Sequence, residues 1–73
     1  MNNYITVQVT KVPGAMKTVT LEEENNKVSD AIAAAELEVA QGYEVRVDDE
    51  IANLETRLED GAVVVITKMI KGN

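Results

Sequence analysis

Residues 62–69, Ala-Val-Val-Val-Ile-Thr-Lys-Met, are the one stretch of this chain where apolar side chains follow each other almost without a break. A run this short, rich in β-branched residues, reads as a strand. A strand that is apolar on both faces belongs inside a sheet and not at its rim. The other segments must then supply hydrogen-bonding neighbours on either side and a layer to cover at least one face. A chain of 73 residues has room for one domain and one such layer.

Other segments alternate with period two. In residues 4–10, Ile5, Val7 and Val9 point one way and Tyr4, Thr6, Gln8 and Thr10 the other. Residues 16–23 resume the alternation with Val19 and Leu21 inward. Between them Pro13-Gly14 predicts a tight turn, Pro presetting φ at the second position and Gly accepting φ > 0 at the third. The first two strands are therefore expected to form an antiparallel hairpin. Residues 43–47 alternate again with Val45 and Val47 inward, Asp48-Asp49-Glu50 turns the chain, and Ile51 is expected in a very short strand. Leu54 and Leu58, four apart, pin a loop or a single helical turn, and Glu59-Asp60-Gly61 leads into the apolar run.

One segment has helical spacing instead. Val28, Ala31, Ile32, Ala35 and Val39 form a single apolar stripe. Ser29 is the expected N-cap, Asp30 suits the positive end of the helix dipole, and Val28 is expected to pack as a staple ahead of the cap. The helix is expected to fray before Leu37 or to run to Gln41, with Gly42 as a left-handed stop. Alanines at 31, 33, 34 and 35 let it lie close to the sheet, offsetting the absence of Phe and Trp. The expected core is Ile5, Val7, Val9, Val19, Leu21, Ile32, Ala35, Val45, Val47, Leu54, Leu58, Val64 and Ile66. The order strand, strand, helix, strand, short strand, strand is an α+β arrangement: a mixed sheet of four or five strands with one helix on one face.

Composition narrows function mainly by exclusion. Without Cys or His the chain has no disulfide, no thiolate nucleophile, no zinc site of the usual ligands and no imidazole base. Ser29 has no base to activate it, and no catalytic residue, cofactor or metal site is expected; the chain is not read as an enzyme. Asp48-Asp49-Glu50 lacks the Gly and the spaced Glu of a calcium loop and reads as a solvated turn, and Glu22-Glu23-Glu24 as a wet strand end. The glycines at 14, 42, 61 and 72 are isolated and make no phosphate loop. Two tyrosines as the only aromatics offer no platform for stacked bases. A net charge of −6 repels nucleic acid and anionic lipid and attracts basic proteins. It serves solubility, or it makes the chain an acidic inhibitor that mimics DNA charge. Met1-Asn2-Asn3 has no positive charge and no apolar stretch is long enough to span a membrane, so a cytoplasmic location is expected.

The order of elements resembles the β-grasp, or ubiquitin-like, fold. Within it, the stretch from residue 43 onward resembles the small sulfur-carrier proteins of the ThiS and MoaD type. The residues that carry the resemblance are Val45-Arg46-Val47-Asp48-Asp49-Glu50, the spaced Leu54 and Leu58, Glu59-Asp60-Gly61, Val63-Val64-Val65-Ile66-Thr67 and Ile70-Lys71-Gly72, together with Val28-Ser29-Asp30-Ala31-Ile32 at the helix start. The resemblance implies a single β-grasp domain over residues 1–73, with residues 70–73 as an exposed tail. It also implies an adenylating, E1-like partner that activates the tail carboxylate with ATP for a thiocarboxylate or an isopeptide. The family ends in Gly-Gly, whereas this chain ends Gly72-Asn73, with a side chain where the family threads none through the enzyme channel. The expectation is a protein that keeps the fold and works by binding another protein. The alternative is a variant carrier or modifier whose tail site is Gly72 and Asn73.

Alternation also predicts a binding surface. If Val64 and Ile66 face the helix, then Val63, Val65 and Thr67 lie on the opposite, open face of the sheet. Tyr4 and Thr6 are expected beside them, with Arg46, Lys68 and Lys71 as a basic rim. Relatives of the fold dock partners on this face, which the resemblance extends to these residues. Self-association through this face or along an unpaired edge strand is a further expectation.

Overall fold

Six elements make up the fold in the computed structural model, which describes residues 3–69: β1 (Tyr4–Lys11), β2 (Lys17–Glu22), α1 (Val28–Ala34), β3 (Tyr43–Val47), β4 (Glu50–Ala52) and β5 (Val63–Lys68). The strands form one five-stranded sheet in the order β2-β1-β5-β3-β4. The apolar run is therefore its middle strand, parallel to β1 and antiparallel to β3. Strands β1 and β2 pair antiparallel, as do β3 and β4. The parallel β1–β5 pair requires the intervening chain to cross over one face, and α1 lies in that crossover.

Period-two alternation sorts the sheet into two faces. Ile5, Val7, Val9, Leu21, Val45, Val64 and Ile66 are buried with Val28, Ala31, Ile32 and Ala35 of the helical segment. Val19 and Val47, expected in the core, are half-buried and pack against it. Val28, Ala31 and Ala62 are fully part of it. Ala33 and Ala34 face solvent, so only the alanines at 31 and 35 bring helix and sheet together. Leu58 is 2% exposed, whereas Leu54 is 47% exposed and lies outside the core. Residues 53–58 are a loop, and only the second leucine anchors it.

The helix takes the shorter of its two expected extents and stops before the apolar stripe does, and partners remote in sequence define its start. Its N-cap is Lys27 and not Ser29, which lies inside the first turn. The Asp30 carboxylate accepts the Lys27 N–H at 3.0 Å, the reciprocal half of a capping box. The N–H groups of Val28 and Ser29 donate to the carbonyls of Thr56 (2.9 Å) and Leu54 (3.0 Å), so the loop before β5 caps the helix with backbone. Asn26 fastens that loop: its amide donates to Leu58 O at 3.0 Å, its backbone carbonyl accepts the Leu58 N–H at 2.7 Å, and its side-chain oxygen accepts from Arg57 at 3.2 Å.

At the other end Glu36 takes φ 58°, and its N–H and that of Leu37 donate to Ala33 O and Ile32 O, both at 3.0 Å. This is the hydrogen-bond pattern of a Schellman ending, six residues before Gly42. Lys17 reaches across from β2 and donates Nζ to Ala35 O at 2.9 Å, a cation on the negative end of the helix. Gly42, at φ 90°, serves the turn into β3.

The β1–β2 connection also departs from expectation. The Val12-Pro13 peptide is cis, and Gly14 is not among the glycines with positive φ. Gly14 is required for closeness: a Cβ there would lie 2.6 Å from Lys11 O. The loop turns back so that the Thr10 hydroxyl donates to Gly14 O at 3.3 Å and Ala15 O at 3.5 Å.

These contacts give unequal weights to residues that look alike in sequence. Leu58→Ala is expected to lower unfolding free energy by about 2–4 kcal/mol, and Leu54→Ala by less than about 1 kcal/mol, in urea denaturation. Glu36→Gly relieves a left-handed non-glycine residue and is expected to raise stability by roughly 0.5–1 kcal/mol in the same measurement.

Candidate functional site

The side of the sheet away from α1 is uncovered among the described residues. Its rows follow from register. Val63 lies beside Gln8, and Val65 lies between Thr10 of β1 and Arg46 of β3. Beyond Gln8 comes Thr18, beyond Arg46 comes Ile51, and Thr67 sits beside Glu44. Val63, Val65 and Thr67 are each half-buried, with Val64 and Ile66 on the helix side at 0% exposure. The expected division of β5 between two faces is the observed one.

The neighbours of Val63 and Val65 are not Tyr4 and Thr6, however. The β1–β5 pairing begins at Gln8, so Tyr4 and Thr6 extend past the start of β5. Thr6 meets the turn before β5 instead: its N–H donates to Asp60 Oδ1 at 2.8 Å and its carbonyl accepts the Gly61 N–H at 2.8 Å. The slip arises because a parallel pair has no short connecting turn to set its register. On the other flank Asp48 does the equivalent work. Asp48 and Asp49 have φ of 50° and 70°, the two-residue turn of the β3–β4 hairpin. Asp48 accepts the Val63 N–H at 3.1 Å through Oδ1 and donates its own N–H to Val63 O at 2.9 Å. Asp48, from the triplet that reads as a solvated turn, and Asp60, from the turn before the apolar run, thus anchor the entry of β5.

The basic rim is not present on this face as expected. Arg46 lies there, but its Nε donates to Glu44 Oε2 at 2.6 Å and the pair is neutral overall. Lys68 pairs with Tyr43 on the helix-side row. Lys11 and Lys17 are on that side too, Lys11 with its ammonium 5.0 Å from the centre of the Tyr43 ring and Lys17 on Ala35 O. Lys71, Gly72 and Asn73 lie outside the described residues. The middle of the open face, from Thr6, Gln8 and Thr18 to Val63, Val65 and Thr67, therefore carries no formal charge, although 27% of the chain is charged.

Of the apolar residues around that neutral area, sequence reading names only Tyr4 for this face. Among the described residues Tyr4, Val12, Met16, Ile51 and Met69 are large apolar side chains left well exposed, as is Leu54, which lies instead beside α1. Tyr4 is on the open-face row of β1, and Ile51 is paired with Arg46 on the same face. Val12 follows β1 and keeps its register by donating to Ile66 O at 2.9 Å, Met16 immediately precedes β2, and Met69 follows β5 with its N–H on Gly42 O at 2.8 Å. The alternation that identifies the face also marks Tyr4 and Ile51. Among the described residues shallow recesses border α1, the β1–β2 loop and the β4–β5 loop; the one nearest β4, of about 350 Å³, includes Asp48, Glu50, Arg57 and Glu59. No group of three or more acidic side chains is arranged to hold a metal among the described residues.

No family model and no curated protein matches this chain. Its shape does match solved structures. One, described as "Molecular Mimicry of SUMO promotes DNA repair", superposes with a TM-score of 0.62 at 14% identity, covering 86% of this chain and 89% of that one. The fold is a ubiquitin-like β-grasp. At that identity the likeness concerns architecture, and the open face must be judged on its own residues.

The anchoring of β5 is open to measurement. Asp60→Ala is expected to lower stability by about 1 kcal/mol and to speed amide exchange at Thr6, read by urea denaturation and NMR.

Proposed function

We propose that this β-grasp domain acts by binding another protein through its open sheet face, with Val63 and Val65 at the centre. The observation that carries the reading is the combination of a middle whose flanking charges, Arg46 and Glu44, pair with each other and a border of exposed apolar side chains. The cores of protein interfaces are depleted in charge and enriched in Tyr and Met, and a flat sheet face offers that surface without a cleft. Thr6, Thr18 and Thr67 supply hydroxyls that donate or accept, so the surface remains soluble alone and can satisfy a partner's polar groups. The domain on this reading is not itself an enzyme. The described titratable groups lie on open surface or in structural contacts, and no acid–base pair faces an enclosed space. The SUMO-mimic neighbour shares the architecture, which agrees with a role in protein recognition.

Carrier chemistry is the second reading, supported by the resemblance of residues 43–72 to sulfur carriers. It places the reacting carboxylate on Asn73, after Gly72, with an adenylating enzyme as partner. The two readings separate by mass and by deletion. If the carrier reading holds, incubation with the cognate adenylating enzyme and ATP yields an adenylate or conjugate, and deletion of residues 71–73 abolishes function in cells. If the open face suffices, that deletion leaves function and partner binding unchanged.

The face is tested by Val63→Glu with Val65→Glu. We expect the double variant to keep its far-UV circular dichroism and cooperative unfolding while losing at least about tenfold in partner affinity. A photo-crosslinking side chain at position 65 should form a saturable adduct competed by wild-type protein and not by the double variant. The same probe at the exposed helix position 33 serves as the control. Unfolding of the double variant, or undiminished affinity, would remove the assignment.

A further inference from the structure

Strand β2 ends the sheet, with β1 on one side and, among the described residues, no strand on the other. The hydrogen bond from Glu23 N–H to Asn3 O (2.9 Å) sets the phase of the β1–β2 ladder. Alternation in an antiparallel pair then directs the backbone groups of Lys17, Val19 and Leu21 to β1 and those of Thr18, Thr20 and Glu22 outward. Natural edges are usually blunted by proline, a bulge, an inward charge or short length. The opposite edge, β4, has three residues, whereas β2 runs regularly for six with no proline and no bulge, and its helix-side charge, Lys17, stands at its first position and is held on Ala35 O.

We propose that β2 pairs antiparallel with β2 of a second copy about a two-fold axis at Thr20. Two five-stranded sheets then join into one continuous sheet. The strand is nearly its own complement in this register. Thr20 faces Thr20 of the second copy, Thr18 faces Glu22, Val19 faces Leu21 and Lys17 faces Glu23. All outward backbone groups of positions 18, 20 and 22 are used, in three pairs of two bonds each. Val19, half-buried in the monomer, gains an apolar neighbour on the helix side, and opposite charges meet at both ends. A shift that places Val19 opposite itself forfeits one of those three pairs and sets Lys17 against Leu21. The chemistry thus favours one register and a closed dimer over an open array. The open face that carries Val63 and Val65 is left uncovered, so this interface is separate from the docking surface.

Sedimentation equilibrium of the full chain from micromolar to millimolar concentration is expected to show the mass rising toward two chains. Amide exchange over the same range should slow at Thr18, Thr20 and Glu22 and stay constant at Val19 and Leu21, which already bond to β1. Thr20→Pro removes an outward N–H without touching the β1 ladder and should hold the chain at one mass with its circular dichroism retained. Glu23→Lys should weaken dimerisation severalfold, and Lys17→Glu combined with Glu23→Lys should restore it. The melting curve is followed alongside, because Lys17 also caps α1. A single chain mass at millimolar concentration overturns the proposal. So does a dimer whose Thr18, Thr20 and Glu22 amides exchange as freely as in the monomer, or the failure of the charge swap to restore association.

Discussion

A helix of seven residues does not stand by itself in water, and α1 exists because the sheet and a distant loop hold it. Its inner face offers Val28, Ala31 and Ile32, continued by Ala35, and these share one buried cluster with Val7, Val9, Val64 and Ile66. Its first N–H groups are accepted by carbonyls of Leu54 and Thr56, and the carbonyl of its C-cap Ala35 is met by Lys17. The dependence is mutual, since the loop from 53 to 58 has no regular structure and is held by those same N–H groups and by Asn26. Helix, loop and central strand therefore form together, with little local stability in any one of them.

The same mutual dependence explains what the residues alone revealed. The strands were legible because period-two alternation is a local signal that burial on one face reinforces. Residues 43–47 and the inward positions of β1 follow directly from it. The central place of β5 was legible too, since Val63 to Ile66 are apolar on both faces. The helix ends were not. Ser29 has the chemistry of a cap, but Leu54 O and Thr56 O occupy that role from far along the chain. Glu36 adopts the left-handed conformation that a glycine search assigns to Gly42. Leu54 and Leu58 are indistinguishable by spacing, and only the path of the loop decides which is buried.

The candidate site was legible in its centre and not in its surroundings. Val63, Val65 and Thr67 share a face by alternation alone. Which residues of β1 lie beside them depends on the register of a parallel pair, and that register is held by Asp60 on Thr6 and Asp48 on Val63. Neither carboxylate is marked by its local sequence as anything but a turn residue. The lysines expected at the rim follow the opposite parity. Lys11 and Lys17 serve Tyr43 and Ala35 on the helix side, and Lys68 shares that row.

This partition of charge separates the roles of the two sides. On the helix side Lys17 steadies the end of α1 and Lys11 the start of β3. The open side has one arginine, matched by its neighbour Glu44, and an apolar surface that the fold itself does not need covered. Architecture at 14% identity says little about chemistry, so the tail that defines a carrier and the face that defines a binder have to be weighed as separate sites. The face has the stronger physical case. Its apolar residues remain exposed in a chain that otherwise sorts charge outward, and a side chain kept apolar without a core to enter is best explained by a surface that meets it from outside.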